Sequence, residues 1–412
     1  MDIGLEMAGF EIVVAVECDP KAVETIKLNR PNLTVINKKI EDVTTEEILK
    51  AANLRPGGNF LVSGGPSCQS FSTAGQRRSI SDPRGGLFRE FLRVVSESQP
   101  KFYIMENVKG MLSAAISHRP LNQRGPGFPK LKPNEELGSA FKVITRELKK
   151  LNYYTIFDLL NSANFGVPQC RERIIFIGSR DGSEIQMPMQ THSKNPTGNL
   201  KAWVNLKNAI GRIRGSKSPG IPLRNGDEQY LKFIPEGGNW RDLPIELQKE
   251  AMKGALDSWG GRCGFFRRLS WNSPSPALTT QPNSKATLLC HPSLLRPLNV
   301  REYARIQQFP DNWKFAGSVL SAYKQIGNAV PIGLGKVIGE SVQNAWGKNR
   351  RPKSLGVVET HNADLIRKMS ARPITILNPS TMRRNNSSSN IRSWKMAERG
   401  RRIDVHEYLS SR

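Results

Sequence analysis

Residues 59–68, NFLVSGGPSC, run from a short apolar segment directly into a turn of two glycines and a proline. The apolar run predicts a buried strand, which Gly64, Gly65 and Pro66 end abruptly. Open α/β sheets bind their ligands at the carboxyl ends of their strands. Cys68 therefore lies at a predicted active-site edge, where a thiolate would serve as a nucleophile.

An isolated cysteine is more commonly an inert, buried thiol. A reactive thiol needs a nearby cation or a helix N-terminus to lower its pKa. Arg77, Arg78 and Arg84 follow Cys68 closely and would supply that charge. Motifs elsewhere in the chain favour the reactive thiol.

Short apolar runs recur along the first 180 residues and are separated by helix-like stretches. The runs are 12–17, 59–63, 102–105, 154–159 and 173–178, and the helical patterns include 86–98 and 138–151. Alternating strands and helices predict an α/β fold with a doubly wound, mostly parallel sheet.

The composition changes from about residue 180 to Gly, Pro, Asn and Ser with weak periodicity, which predicts a smaller irregular domain. Helical character returns at 299–308 and 331–346, and the chain is polar and basic after about 347. We expect four segments: a catalytic and cofactor domain, a target-recognition domain, a return to the catalytic domain and a basic flexible tail. Their boundaries are 1–179, 180–314, 315–347 and 348–412.

The 412 residues include 61 Lys and Arg against 36 Asp and Glu, a formal charge of +25. Such a charge favours a polyanionic partner, with nucleic acid ahead of the alternative of a merely basic protein. The five cysteines form no CxxC pair, so we expect no metal site and a reducing, cytoplasmic location. The sequence has no export signal and no apolar run of about eighteen residues. We therefore expect a protein that is neither exported nor membrane-spanning.

Several motifs share a family resemblance. GGPSCQSFSTAG, at 64–75, resembles the GGPPCQxFSxAG signature of the DNA (cytosine-5) methyltransferases of bacterial restriction-modification systems, with Ser67 in place of the second proline. Glu106-Asn107-Val108 is similar to the ENV motif, and QCRER at 169–173 is similar to QxRxR. Further similar stretches follow in family order over residues 1–346, namely RLSWNSPSPALTTQ (268–281), REYARIQQFPDNW (301–313) and QIGNAVP (325–331).

The resemblance implies a Rossmann-like fold that transfers a methyl group from S-adenosylmethionine to C5 of a flipped cytosine. Cys68 would attack C6 of the base, and Glu106 would stabilise its N3 side. Arg171 and Arg173 would bind the target nucleotide and the neighbourhood of the carboxylate. The remaining target-positioning residues that the resemblance implies are Gln69, Ser70, Asn107 and Gln169.

The resemblance also implies a cofactor pocket. Glu17 would bind the ribose hydroxyls and Asp42 would lie near the adenine, although Asp42 also suits a helix N-cap before TTEEIL. The other implied lining residues are Cys18, Val43, Pro66, Leu87, Asn328 and Val330. The family opens with DLFxGxGG, whereas MDIGLEMAGFE is similar to the helix after that loop. We therefore expect a truncated or late start without the first strand and glycine loop.

The implied partner is double-stranded DNA, read by basic residues within about 180–267, beside a restriction endonuclease encoded nearby. We expect a monomer whose basic tail adds nonspecific DNA affinity. Three alternatives stay open: an RNA cytosine-5 methyltransferase, a truncated inactive DNA-binding relic and a thiol oxidoreductase. The last predicts a resolving cysteine at CxxC spacing, which the sequence lacks.

Overall fold

The structure is a computed structural model that describes residues 1–66, 86–117, 119–120, 123–213, 218–256, 264–346 and 352–370. Cys68, Gln69 and Ser70 lie outside these residues, as do Arg77, Arg78 and Arg84.

The strands are numbered in chain order. They are β1 (Val14–Val16), β2 (Thr34–Ile36), β3 (Leu61–Gly64), β4 (Phe102–Val108), β5 (Tyr154–Asn161), β6 (Gln169–Cys170), β7 (Glu172–Ser179), β8 (His192–Ser193), β9 (Lys201–Ala202), β10 (Ser275–Pro276) and β11 (Val357–Glu359). The helices are α1 (Asp2–Met7), α2 (Pro20–Asn29), α3 (Thr45–Ala51), α4 (Leu87–Ser98), α5 (Ser139–Lys150), α6 (Leu206–Ile210), α7 (Glu228–Leu231), α8 (Ile245–Met252), α9 (Val300–Ile306), α10 (Val319–Asn328), α11 (Ile332–Ala345) and α12 (Ala363–Ser370). All five predicted strands and the four predicted helical stretches are present.

The main sheet has five strands in the order β11-β5-β7-β4-β3. Strand β3 is parallel to β4 and β11 is parallel to β5, whereas β7 is antiparallel to both of its neighbours. A separate parallel pair joins β1 to β2. Only a short link without a crossover helix separates β5 from β7, and such a link reverses the strand direction. The antiparallel β7 therefore departs from the expectation of parallel pairing.

Helices cover both faces of the sheet, as the doubly wound prediction requires. Tyr103 and Met105 of β4 pack in one core with residues of α4 and α5. Phe102 and Ile104 point to the other face, where they pack with residues of α1 and α11. Because neighbouring side chains of a strand point to opposite faces, the first four residues of β4, Phe102–Met105, are all apolar. The central strand is therefore held from both sides.

Residues 352–370 contain regular structure, which the polar composition after residue 347 did not predict. Strand β11 extends the sheet in parallel beside β5, and Leu365 of α12 is 3% exposed in the core shared by α4 and α5. The expectation of a flexible tail is therefore wrong for residues 352–370. A few apolar residues suffice because the sheet edge supplies the hydrogen-bonding partner.

The region after residue 180 is built from short elements, as its composition indicated. Its longest helix up to residue 290, α8, has eight residues, and its strands have two each. One core joins Tyr230, Trp240 and Phe266. A second core joins α6, α9 and α10 through residues such as Leu206 and Tyr323. In the described part of the chain, no helix is both long and apolar enough to cross a membrane.

Candidate active site

The turn that precedes Cys68 is held against the ENV segment of the next strand. Strands β3 and β4 pair in parallel with Gly64 opposite Met105, so the turn leaves the sheet beside Glu106. The Asn107 side chain donates to the carbonyl oxygen of Pro66 at 3.2 Å. Pro66 thus connects the two motifs. Cys68 follows two residues later, beyond the described residues.

Both glycines of the turn lie close to neighbouring side chains. A Cβ atom on Gly64 would lie 2.8 Å from the ring of Phe91, and one on Gly65 would lie 3.0 Å from Glu106 Oε2. Contacts under about 3.0 Å force a neighbour to move. The glycines therefore permit the close approach between the turn and the carboxylate.

Glu106 forms an ion pair with Arg173. The Nε atom of Arg173 lies 2.6 Å from Glu106 Oε1, and the two side chains are 13% and 14% exposed. The antiparallel pairing of β4 with β7 produces this contact, because it sets Val108 opposite Arg173. Among the residues that the structure describes, none donates a hydrogen bond to Glu106 Oε2. Within this part of the chain, one oxygen of the carboxylate is therefore paired and the other is not.

Arg171 and Gln169 bind the protein itself. The guanidinium of the buried Arg171 donates to the carbonyls of Leu278 at 3.0 Å and Gly327 at 2.9 Å. The amide of the fully buried Gln169 accepts from the Leu278 N–H and donates to Gln307. In the described residues Arg173 pairs with Glu106, whereas Arg171 donates two bonds to main-chain carbonyls, and the implied binding of the target nucleotide by both arginines stays a prediction. An interior position, which residue spacing does not reveal, explains the difference.

A second acidic side chain follows strand β1. Glu17 Oε1 accepts from the Asp19 N–H at 2.7 Å, and the Asn37 side chain donates to the Glu17 carbonyl at 2.9 Å. Asn37 follows β2, so this bond ties the ends of the two parallel strands together. The neighbouring Cys18 thiol is also hydrogen-bonded to the Glu17 side chain. An acid at the carboxyl end of a parallel strand fits the hydroxyls of a ribose.

The two implied adenine residues differ in exposure. Asp42 is exposed at the end of the short 3₁₀ turn Ile40–Asp42, whereas Val43 is 2% exposed. The N-cap of α3 is Thr44, whose hydroxyl accepts from the Glu47 N–H at 3.1 Å. The alternative that Asp42 caps this helix is therefore wrong. Its carboxylate remains at the surface.

Helix α10 lies beside the end of β1. The Lys324 ammonium lies 2.7 Å from Asp19 Oδ2, and this pair lowers the pKa of Asp19 and raises that of Lys324. Asn328, the last residue of α10, is exposed, and Val330 is 9% exposed. Leu87 begins α4 and is half-buried, as is Pro66. The pair thus brings the QIGNAVP segment towards the strand that carries Glu17.

The described cysteines are poor nucleophiles. Cys18, Cys170 and Cys290 are free, and desolvation raises the pKa of each thiol, to about 11 for Cys290. The neighbouring Glu17 raises the pKa of Cys18 further. These thiols stay protonated near neutral pH. In the described ranges no group of His, Cys, Asp and Glu is placed to hold a metal ion.

Two buried polar residues, Glu302 and Gln307, were not predicted from the sequence. Glu302 caps α9 and is fully buried, and Gln307 at the end of that helix is fully buried as well. Both lie in REYARIQQFPDNW. The partner of Gln307, Gln169, is distant in sequence, and Glu302 meets Arg296 and Asn299 through the turn before α9. The only signal was a polar residue at a position of helical periodicity.

The fold and the two acidic strand ends define a Rossmann-like methyltransferase that uses S-adenosylmethionine. Residues 1–344 match the family model of the C-5 cytosine-specific DNA methylases, and the chain belongs to this family. It is therefore an S-adenosylmethionine-dependent DNA (cytosine-5) methyltransferase. The match covers nearly the whole span of the sequence resemblance, which is confirmed.

Individual relatives agree with the family match. The chain is 37% identical over 343 residues to the Type II methyltransferase M.Sau96I of Staphylococcus aureus, covering 82% of this chain and 72% of the relative. It is 38% identical over 343 residues to M.PspPI of a Psychrobacter species, covering 82% and 75%. A prophage-encoded E. coli protein, described as a DNA modification methyltransferase, shares the fold with a TM-score of 0.53 at 22% identity, covering 84% of this chain and 96% of its own.

Proposed function

We propose that this chain is the modification enzyme of a Type II restriction-modification system. It would methylate one cytosine within a specific duplex sequence and so protect the DNA from an endonuclease encoded nearby. The relatives named Type II methyltransferases, at 37% and 38% identity across 82% of the chain, support this role. The charge of +25 suits a phosphate-rich substrate. We further propose that the protein acts as a cytoplasmic monomer.

The assignment of the site rests on the Glu106 carboxylate, which pairs with Arg173 through one of its two oxygens. Arg173 holds Oε1 at 2.6 Å, and Oε2 lies on the side of the Gly65 turn. We assign Oε2 to the N3 side of the flipped cytosine and Arg173 to the orientation of the carboxylate. Attack at C6 pushes electron density towards N3, and a proton held between Glu106 Oε2 and N3 would relieve it. Because Arg173 already orients the carboxyl group, little reorganisation is needed during the reaction.

Cys68 is assigned as the nucleophile. Its thiolate adds to C6 of cytosine, a C6–S bond forms, and the displaced electron pair makes C5 nucleophilic while Glu106 stabilises the N3 side. S-adenosylmethionine supplies the electrophilic methyl group when it is bound. Loss of the proton from C5 to solvent then expels the Cys68 sulfur as a thiolate and restores the C5–C6 double bond. The pyrimidine leaves the reaction as 5-methylcytosine.

The cofactor would be held at the ends of β1 and β3 and by the QIGNAVP segment. Glu17 would bind the ribose hydroxyls, and Asp42 with Val43 would flank the adenine. The remaining residues assigned to this pocket are Cys18, Pro66, Leu87, Asn328 and Val330. The Asp19–Lys324 pair supports this assignment because it joins the two sides of the proposed pocket.

We propose that the segment 180–314 recognises the target and that 1–179 with 315–347 carries the chemistry. The core around Tyr230, Trp240 and Phe266 gives the recognition segment an apolar centre of its own. Its basic residues would contact phosphates and base edges. The same contacts would repay the few kcal/mol that extrusion of a base costs.

The direct experiment is transfer of labelled methyl from S-adenosylmethionine to unmethylated duplex DNA. We expect 5-methylcytosine with the wild-type chain and none with Cys68→Ser. Cys170→Ser is the matched control, because Cys170 is a free thiol whose pKa is raised by burial, and it should retain activity. Activity in Cys68→Ser, or methylation of RNA in place of DNA, would contradict the proposal. DNA binding without methyl transfer by the wild type would favour an inactive relic.

The restriction context has its own test. Plasmid DNA from cells that express the chain should resist an endonuclease encoded beside its gene, whereas DNA from cells with Cys68→Ser should be cut. Light scattering should report a monomer. Deletion of residues 371–412 should lower DNA affinity most at low salt, and an unchanged salt dependence would remove that role for the tail.

A further inference from the structure

Two buried glutamine side chains are hydrogen-bonded to each other and to the backbone, and this group of bonds is called the amide relay. Its two members are Gln169, which begins β6, and Gln307, which follows α9. Both side chains are fully buried, although 138 positions separate them in the chain. Burial of an amide is unfavourable unless each of its polar atoms is paired. Two glutamines in contact in the interior therefore call for an explanation beyond packing.

The direction of every hydrogen bond in the relay is fixed. The Leu278 N–H can only donate, so Gln169 Oε1 accepts, at 2.9 Å. Gln169 Nε2 must then donate to Gln307 Oε1, at 2.7 Å. Gln307 Nε2 in turn donates to the carbonyls of Ile326 at 2.7 Å and Ala329 at 2.9 Å. Neither amide can be flipped without losing bonds to the backbone.

The relay connects the two halves of the proposed site. At one end, Gln169 lies four residues before Arg173, which holds Glu106. At the other end, the two carbonyls bracket Asn328. Arg171 runs beside the relay and binds the Gly327 carbonyl at 2.9 Å. Gln307 and Arg171 thus bind three carbonyls of the segment 326–329, and Arg171 lies two residues before Arg173, which orients the catalytic carboxylate.

We propose that Gln307 is a positioning residue for cofactor binding, acting through the backbone of residues 326–329. The proposal rests on the assignment of Asn328 and Val330 to the cofactor pocket. Loss of the Gln307 amide removes the donor that Gln307 supplies to the Ala329 carbonyl and leaves the Ile326 carbonyl with the longer bond from the Ala329 N–H, at 3.3 Å, so the segment moves to regain partners. Asn328 and Val330 shift with it. Gln307 itself does not touch the cofactor or the base.

The test compares Gln307→Met with Gln248→Met. Methionine keeps the length and volume of glutamine but removes both donors. Gln248 is the matched control, because its amide also donates to two main-chain carbonyls, those of Arg241 and Leu243, at 3.1 and 2.8 Å. We expect Gln307→Met to raise the Kd and the KM for S-adenosylmethionine roughly tenfold. The Kd for DNA should change less than about twofold and kcat less than about threefold in both variants.

An unchanged Kd for S-adenosylmethionine in folded Gln307→Met would overturn the proposal, as would an equal rise in Gln248→Met. If Gln307→Met does not fold, Gln169→Met replaces it, because that change removes the donor to Gln307 Oε1 and the acceptor of the Leu278 N–H but keeps both bonds from Gln307 to the backbone. It should raise the Kd for the cofactor about threefold, and no change would overturn the proposal. Failure of the wild type to bind S-adenosylmethionine would instead contradict the proposed pocket.

Discussion

Two glutamate–arginine pairs lie in different regions of the molecule and differ in what they leave unbonded. Glu302, at the start of α9, accepts from Arg296 at 2.8 and 2.7 Å and from the Asn299 N–H at 2.7 Å, and it is fully buried. Glu106, at the edge of the sheet, pairs with Arg173 through one oxygen and is 14% exposed. A buried acid is therefore not by itself a sign of a substrate site. A carboxylate with an oxygen that the described residues leave unbonded, as in Glu106, is the better sign.

Removal of the saturated carboxylate should have the largest effect on stability. Glu302→Ala leaves Arg296 and the Asn299 N–H without their partner, so the free energy of unfolding should fall by about 3–5 kcal/mol. Urea unfolding measures this loss. Glu147→Ala is the control, because its pair with Lys150 lies at the surface and should cost under about 1 kcal/mol. Equal losses in the two variants would show that the Glu302 network is not structural.

Removal of the partner of the Glu106 carboxylate should affect the rate. Arg173→Ala leaves Glu106 without its orienting cation, and kcat should fall about 100-fold. Arg171→Ala should instead lower stability, because Arg171 binds two buried carbonyls. Methyl transfer and thermal unfolding on both variants separate the two roles. If Arg173→Ala and Arg171→Ala lose rate and stability in the same proportion, the two arginines do not have separate roles.

How much of these regions the sequence reveals depends on the range of the interactions. The strands and the helices of the sheet follow from local periodicity, and Glu106 follows from its position after a strand in a family motif. The antiparallel direction of β7 depends on the length of a connection. Gln307 was missed because its partner, Gln169, lies 138 positions away. The docking of 352–370 was missed because β11 gains stability from the edge of β5 and not from its own composition.

A smaller effect is expected from crowding Oε2 of Glu106. Gly65→Ala places a Cβ 3.0 Å from Oε2, so the carboxylate or the turn must shift by a few tenths of an ångström. We expect kcat to fall roughly tenfold. Gly86→Ala is the control, because a Cβ there meets nothing within 4 Å and should leave kcat unchanged. Equal rates for the two variants would contradict the close approach.

The smallest effect concerns the exposed Asp19–Lys324 pair, which gives a third case for comparison. The lowered pKa of Asp19 means that its stabilisation is present at neutral pH and is lost as the pH falls below 3.8. The raised pKa of Lys324 preserves the pair up to at least pH 10.5. Asp19→Asn should cost under about 1 kcal/mol at pH 7, and the difference should vanish in acid. Urea unfolding of both proteins at several pH values measures this difference. A difference that grows as the pH falls would contradict the pairing.

The most direct test of the central claim measures methyl transfer by Glu106→Gln and Glu302→Gln at saturating S-adenosylmethionine and DNA, with urea unfolding of the same samples. We predict that Glu106→Gln lowers kcat by about 10²–10³ while its free energy of unfolding stays within about 1 kcal/mol of the wild type. Folded Glu302→Gln should lose stability and keep its rate. A Glu106→Gln enzyme with wild-type kcat, or a rate loss confined to Glu302→Gln, would contradict the account.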